Sequence, residues 1–209
     1  MRSALLFLAA ASLMGQQRGP SGDPGKFDYY LLALSWSPAF CEGPSGARNV
    51  EQCGPGRKFA FVLHGLWPQN ERGRWPEDCS NAPGLRDPRQ MLDIMPAVGL
   101  IRHEWQKHGT CSGLDADGYF ALARKAFQSV KIPAKFQAPK EYLNITPQEV
   151  QQEFLKANAG WSQKSLSVQC SAQFLSEVRI CLDKGLKAMA CPDAPRGCRA
   201  EKVRMPPVR

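Results

Sequence analysis

Histidine is scarce in this chain: three copies in 209 residues, at positions 64, 103 and 108. So few imidazoles, confined to two short segments, leave little material for a metal centre. The eight cysteines contain no Cys-x-x-Cys pair, which excludes zinc-ribbon and thioredoxin-type sites. Beyond the N-terminal segment no apolar run approaches the roughly 18 residues that a membrane-spanning helix needs. Internal repeats are absent, and acidic residues are outnumbered, 19 against 27 Lys plus Arg, for a formal charge of +8.

What remains suits one ordinary domain, because 43% hydrophobic and 22% charged residues supply a core and a solvated surface. The chain opens on Met1-Arg2, an apolar stretch from Ala4 to Met14, and a polar, turn-forming Gly15-Gln16-Gln17-Arg18-Gly19-Pro20. That layout predicts a secretory signal over residues 1–15, ending within positions 11–19, ahead of a folded domain over residues 26–209. Its removal takes away only Arg2 and leaves a charge of about +7. Export to the periplasm or medium puts the cysteines in an oxidising compartment, where an even number of them reads as a disulfide framework. Spacing alone does not choose the pairing.

Lys26–Trp36 reads as a buried strand ending at Ser37-Pro38. Glu42–Arg57 reads as a loop, Lys58–Leu63 as a second strand that ends at His64, and Gln69–Pro88 as another loop. Helices are predicted at Arg89–Met95, Ile101–His108 and Asp115–Val130. Another opens on the capping box Thr146-Pro147-Gln148-Glu149 and stops near Gly160. Leu166–Cys170 and Phe174–Asp183 read as strands, with apolar positions Leu175, Val178, Ile180 and Leu182 in the second. The irregular order predicts an α+β single domain with a central, mainly antiparallel sheet flanked by helices and braced by disulfides.

The segment from Arg102 to Cys111 packs His103, Glu104, Lys107 and His108 into six residues. On a helix at about 100° per residue, with His103 at zero, Lys107 falls near 40°, Glu104 near 100° and His108 near 140°. All four share a face, while Ile101 and Trp105 anchor the other side. The two histidines are five apart, whereas a helical zinc pair is four apart so that both imidazoles meet one ion. A zinc hydrolase on His103 and His108 is therefore a weak alternative, and no metal or cofactor is expected. Without a metal, His64 and His108 suit an acid and base pair, since an imidazole pKa of about 6.5 allows either role near neutrality. On either side of a phosphodiester, one deprotonates an internal hydroxyl and the other protonates the leaving oxygen. Lys107, with His103 when protonated, would offset charge on the phosphoryl oxygens, and Glu104 would orient an imidazole or bind a phosphoryl oxygen.

The segments FVLHGLWPQ, Phe61–Gln69, and HEWQKHGTC, His103–Cys111, resemble the two active-site segments of the ribonuclease T2 family of secreted, metal-independent endoribonucleases. Phe27–Cys41 and the series Cys170, Cys181, Cys191, Cys198 are similar to that family as well. The chain departs at Leu100-Ile101, where an aromatic residue is expected in many relatives. The resemblance implies attack of the ribose 2′-hydroxyl on phosphorus, loss of the 5′-oxygen and a 2′,3′-cyclic phosphate, with low base specificity and no cleavage of DNA. It implies His108 as base and His64 as acid, although either direction satisfies the chemistry. His103 would contact phosphate, with Glu104 and Lys107 stabilising the transition state. It further implies disulfides Cys41–Cys53, Cys79–Cys111, Cys170–Cys198 and Cys181–Cys191.

A basic, monomeric protein acting on RNA is the expectation that follows, the charge adding salt-dependent affinity for phosphates. Trp67 stacks on a base or serves as a buried structural residue, with Arg74 and Trp75 weaker candidates for RNA contact. The tail from Arg196 to Arg209 is read as a solvated Pro-rich end in preference to an RNA contact. The remaining alternative is a disulfide-rich RNA-binding or toxin-like module without turnover.

Overall fold

The structure, a computed structural model, describes residues 21–192 and 197–209. The expected signal over residues 1–15 and Arg196 of the tail lie outside the described residues.

Six strands form one sheet: β1 Tyr29–Trp36, β2 Phe61–Gln69, β3 Leu143–Ile145, β4 Leu166–Ser171, β5 Phe174–Leu182 and β6 Val203–Met205. Their order is β2-β1-β5-β6-β3, with β4 also paired to β5, and every strand pairing is antiparallel except β5 with β6. The helices are α1 Ser37–Glu42, α2 Val50–Cys53, α3 Val98–Lys107, α4 Ala116–Ser129 and α5 Pro147–Ala157. This is the expected α+β class. None of these helices is long and apolar enough to cross a membrane.

Alternation along the central strands divides the sheet into two faces. Leu32, Leu34 and Trp36 of β1, Leu63 and Leu66 of β2, and Val178 and Ile180 of β5 join the main core beneath the helices. Trp36, Phe61, Phe136 and Phe154 interlock there through edge and stacked ring contacts. The opposite face carries a smaller cluster of Tyr29, Leu31 and Cys181, against which Trp67 packs. Strand register places Trp67 beside Leu31, Gly65 beside Ala33, and Val62 beside Ser35, with Arg179 and Glu177 next to Ala33 and Ser35 on β5.

Four expectations are corrected. The second strand begins at Phe61 and runs through the motif to Gln69, so His64 lies inside a strand and not at its end. The eight-residue β1 offers pairing along the whole motif, and one extra residue is absorbed as a bulge. Pro88–Met91 makes only a 3-10 turn, with Pro88 in its first turn and Pro96 close behind. The segment read as a loop after Cys41 contains α2, whose Gln52 N–H donates to the Asn49 side chain. The tail is a core element as well: Val203 and Met205 are buried in β6, and Trp36 Nε1 donates to the Pro206 carbonyl at 3.1 Å. Two inward residues flanking Arg204 are too short a pattern to stand out beside Pro206-Pro207.

The disulfides join Cys41 to Cys53, Cys79 to Cys111, Cys170 to Cys198 and Cys181 to Cys191, the same pairs that the resemblance implies.

Candidate active site

His64 owes its position to the bulge. Leu34 faces Leu63 and Ala33 faces Gly65, so His64 is the unpaired extra residue of β2. A bulge bends the strand and re-aims one side chain, a common device beside reactive sites. Gly65 is required next to it: a Cβ there would come within 2.0 Å of Glu104 Oε2 and 2.2 Å of Trp67 Nε1.

Helix α3 brings the second segment to the same place. Ile101 and Trp105 are buried as expected, and Trp105 Nε1 donates to the Ala82 carbonyl. Glu104 is only 1% exposed and faces β2, so the four ionisable groups do not share one solvated face. His103 and Lys107 keep outward positions on the helix. His108 has left the helix: with φ −120° and ψ −44° it caps the C-terminus, and it is 7% exposed. The end of α3 is pinned from outside, because Asp78 N–H donates to the Lys107 carbonyl at 2.9 Å and Cys79 N–H to Thr110 Oγ1 at 3.2 Å. Cys79–Cys111 covalently joins the same two segments.

Trp67 is the hub. Its ring centroid lies 5.2 Å from those of both His64 and His108, and Arg179 lies over it at 5.1 Å. Its Nε1 donates to Glu104 Oε2 at 2.6 Å. These contacts make this half-buried tryptophan the spacer between the two imidazoles and Glu104. Lys107 Nζ sits 3.1 Å from Glu77 Oε2, and Trp75 Nε1 also donates to that oxygen.

Sequence reasoning missed Glu177 and Arg179. His64 Nδ1 lies 2.5 Å from Glu177 Oε1, whereas His64 Nε2 is 3.6 Å from Glu104 Oε1, beyond hydrogen-bond length. The available signal was a carboxylate and a guanidinium two residues apart in an otherwise apolar strand.

These surroundings separate the protonation states of the two imidazoles. Burial opposes the His64 imidazolium, but the hydrogen bond and charge of Glu177, with the charge of Glu104, outweigh it and raise its pKa. Burial, then Lys107, His103 and His64, pushes His108 down to about 3. Burial, then Lys107 and His64, also lowers His103. Burial raises Glu104 to about 7 against the opposing pull of His64 and the Trp67 hydrogen bond. Burial would raise Glu177 too, yet its contacts with His64 and Arg179 bring it to about 2. The two imidazoles that contact one indole are thus shifted in opposite directions, His64 toward the charged form and His108 toward the neutral one. Two grooves, of about 690 and 550 Å³, meet at His64, and Phe40 and Ser35 line both.

Residues 27–191 match the model of the ribonuclease T2 family. A ribonuclease of Aeromonas hydrophila is 37% identical over 185 residues, covering 82% of this chain and 80% of that protein. Ribonuclease DdI of Dictyostelium discoideum is 31% identical over 188 residues, covering 83% and 82%. Among solved structures, RNase NT in complex with 5′-AMP superposes with a TM-score of 0.69 at 26% identity, covering 87% of this chain and 99% of that one. A bulged strand carrying His64, a pinned helix end carrying His108 and a family match spanning both place this chain in the ribonuclease T2 family.

Proposed function

We propose that the protein is an exported endoribonuclease that cleaves single-stranded RNA by transphosphorylation, acting as a monomer. The observation that carries this reading is the placement of two imidazoles, each 5.2 Å from one tryptophan ring, in surroundings that shift them in opposite directions: His64 is bound by Glu177 and raised, and His108 is buried and lowered. Neutral His108 takes the proton of the ribose 2′-hydroxyl, and the 2′-oxygen forms a bond to phosphorus. The bond from phosphorus to the 5′-oxygen breaks, and the His64 imidazolium delivers its Nε2 proton to that oxygen. The products are a 2′,3′-cyclic phosphate and a free 5′-hydroxyl. Each proton transfer is worth about 10²–10⁴ in rate.

Lys107, on the exposed side of α3, binds the phosphate and offsets charge that builds on its oxygens, and His103 beside it, its pKa lowered, contributes a ring N–H hydrogen bond to the phosphate. Glu104, with a pKa of about 7, is in part protonated near neutrality and can donate to a phosphoryl oxygen while Trp67 fixes its other side. The chain's own residues complete the proton inventory, so the reaction as written uses no cofactor. DNA lacks the 2′-nucleophile and stays intact. The open grooves around Phe40 support low base specificity, and the four disulfides support export to the periplasm or medium.

The test is incubation of the oxidised protein with RNA in EDTA, followed by identification of the ends. Early products bearing 2′,3′-cyclic phosphate are expected; their absence would overturn the mechanism.

A further inference from the structure

On the β5 side of His64 stand two charged residues that the reaction above leaves idle. Glu177 and Arg179 project from the same face of the strand, two residues apart, and pair across to Ser35 and Ala33 of β1. Every acceptor position of Glu177 in the sheet is taken. Oε1 meets His64 Nδ1 at 2.5 Å and the Ser35 hydroxyl, which donates at 3.3 Å. Oε2 receives both Nε and Nη2 of Arg179, each at 2.7 Å. Because register in the middle of the sheet places this carboxylate, its position is set by the backbone and not by a mobile loop.

We propose that Glu177, held by Arg179, is a positioning residue that keeps the proton on Nδ1 of His64 and thereby reserves Nε2 for the leaving oxygen. This inference rests on the reading of His64 as the acid. The contrast between the two imidazole nitrogens carries it: Nδ1 is bound at 2.5 Å, while Nε2 stands 3.6 Å from Glu104 and is free to turn to substrate. In the proton-transfer step the Nε2–H bond breaks and an O5′–H bond forms. The Nδ1–H stays in place, and Glu177 remains ionised because Arg179 neutralises it when the imidazolium charge is gone. Arg179 also lies over Trp67, whose indole N–H binds Glu104. The circuit His64, Glu177, Arg179, Trp67, Glu104 thus fixes acid and phosphate-side carboxylate relative to one another.

The charged and titratable groups around His64 are Glu177 and Arg179 on β5, and Glu104, His103 and His108 from α3 and its cap. Among the described residues, only Glu177 touches the imidazole within hydrogen-bond range. Its neutral isostere should therefore change His64 without changing binding of the phosphate.

The experiment compares Glu177→Gln with wild type on two substrates: a dinucleoside phosphate, and a nucleoside 3′-(4-nitrophenyl phosphate), whose leaving group needs no proton. On the first, kcat should fall by about 10²-fold at an unchanged KM, the size of one proton-transfer contribution. On the second, the rate should stay close to wild type. The His64 titration, followed by NMR, should move down toward the ordinary value of about 6.5, and Glu177→Asp should recover part of the loss. Equal losses on both substrates, or an unmoved His64 titration, would overturn the proposal. If Glu177→Gln does not fold, Arg179→Lys takes its place, with the same substrate dependence at smaller size. His64→Ala separates this inference from the one beneath it. If His64→Ala is equally impaired on both substrates, the acid assignment itself fails. If His64→Ala shows the leaving-group dependence and Glu177→Gln does not, only the role of Glu177 fails.

Discussion

Trp67 Nε1 and Glu104 Oε2 meet at 2.6 Å, a contact that ties β2 to a carboxylate buried on α3. Burial pushes Glu104 up to about 7, and this bond pulls in the other direction because the donor favours the charged form. Trp67→Phe keeps an aromatic ring and deletes the N–H. Glu104 should then titrate above about 7 in NMR. Activity should drop about 10- to 150-fold, the scale of one charge-assisted hydrogen bond of about 1.5–3 kcal/mol. An unmoved Glu104 titration would show that the indole does not control this carboxylate.

The pH dependence of kcat/KM follows from the two histidines. The acid must be protonated, so activity falls as pH rises through the raised pKa of His64, above the ordinary value of about 6.5. The base must be neutral, so activity falls on the acid side only as pH drops toward about 3, where His108 protonates. A broad plateau with a displaced acid limb is the expected profile. His64→Ala and His108→Ala should each cost about 10²–10⁴ in kcat/KM. Loss of the alkaline limb in His64→Ala, measured on the residual activity, checks which limb belongs to which residue.

Much of this site was legible in the sequence because its polar groups crowd into two segments. His64, His103, Glu104, Lys107 and His108 needed only local spacing and the scarcity of histidine. Glu177 and Arg179 escaped because they lie over a hundred residues from His64, and the meeting depends on strand order and register. The bulge at His64 escaped for a related reason: it is defined by the mismatch between β1 and β2, which neither strand displays alone. The tail strand was hidden by its brevity, since Val203 and Met205 gain meaning only when β3 is in place beside them.

Lys107 and Glu77 form a partly exposed pair at 3.1 Å, and the hydrogen bond from Lys107, together with its charge, lowers the Glu77 pKa. Such pairs contribute little to stability, so their effect should be felt in catalysis. Lys107→Ala should reduce kcat about 10²-fold through lost charge stabilisation while thermal stability hardly changes. Glu77→Gln, which leaves the ammonium unanchored, should cost less than 10-fold, with the loss mainly in kcat. A larger effect from Glu77→Gln than from Lys107→Ala would contradict this order.

Removing Cys79–Cys111 by a double change to alanine should differ from removing Cys41–Cys53. Loop closure gives the longer bridge slightly more weight, and either loss should cost about 2–4 kcal/mol. Only the former, with a sequence separation of 32, joins the loop after β2 to the end of α3, where Asp78 already binds the Lys107 carbonyl. Its removal should therefore lower kcat at temperatures where the protein is still folded. The Cys41–Cys53 variant should keep its kcat under the same conditions. Denaturant unfolding alongside single-turnover kinetics separates the two effects.

His108 is where catalysis and stability conflict. Among the described residues its buried Nδ1 has no hydrogen-bond partner, and burial together with Lys107, His103 and His64 holds its pKa at about 3. Between that value and the ordinary one of about 6.5, the unfolded chain binds a proton that the folded protein refuses. Stability attributable to this residue therefore rises with pH across that window and is lost on acidification. His108→Leu removes both the unpaired nitrogen and the titration. At pH 7 the gain should be about 1–3 kcal/mol from the unpaired group alone, equivalent to a Tm increase of a few degrees in a chain of this size. At pH 5 the gain should be larger, because the proton linkage is removed as well. The same variant should lose nearly all cleavage. A His108→Leu protein with a lower Tm than wild type at pH 5 would mean that the buried imidazole is satisfied in solution, and that its low pKa is not held at the expense of the fold.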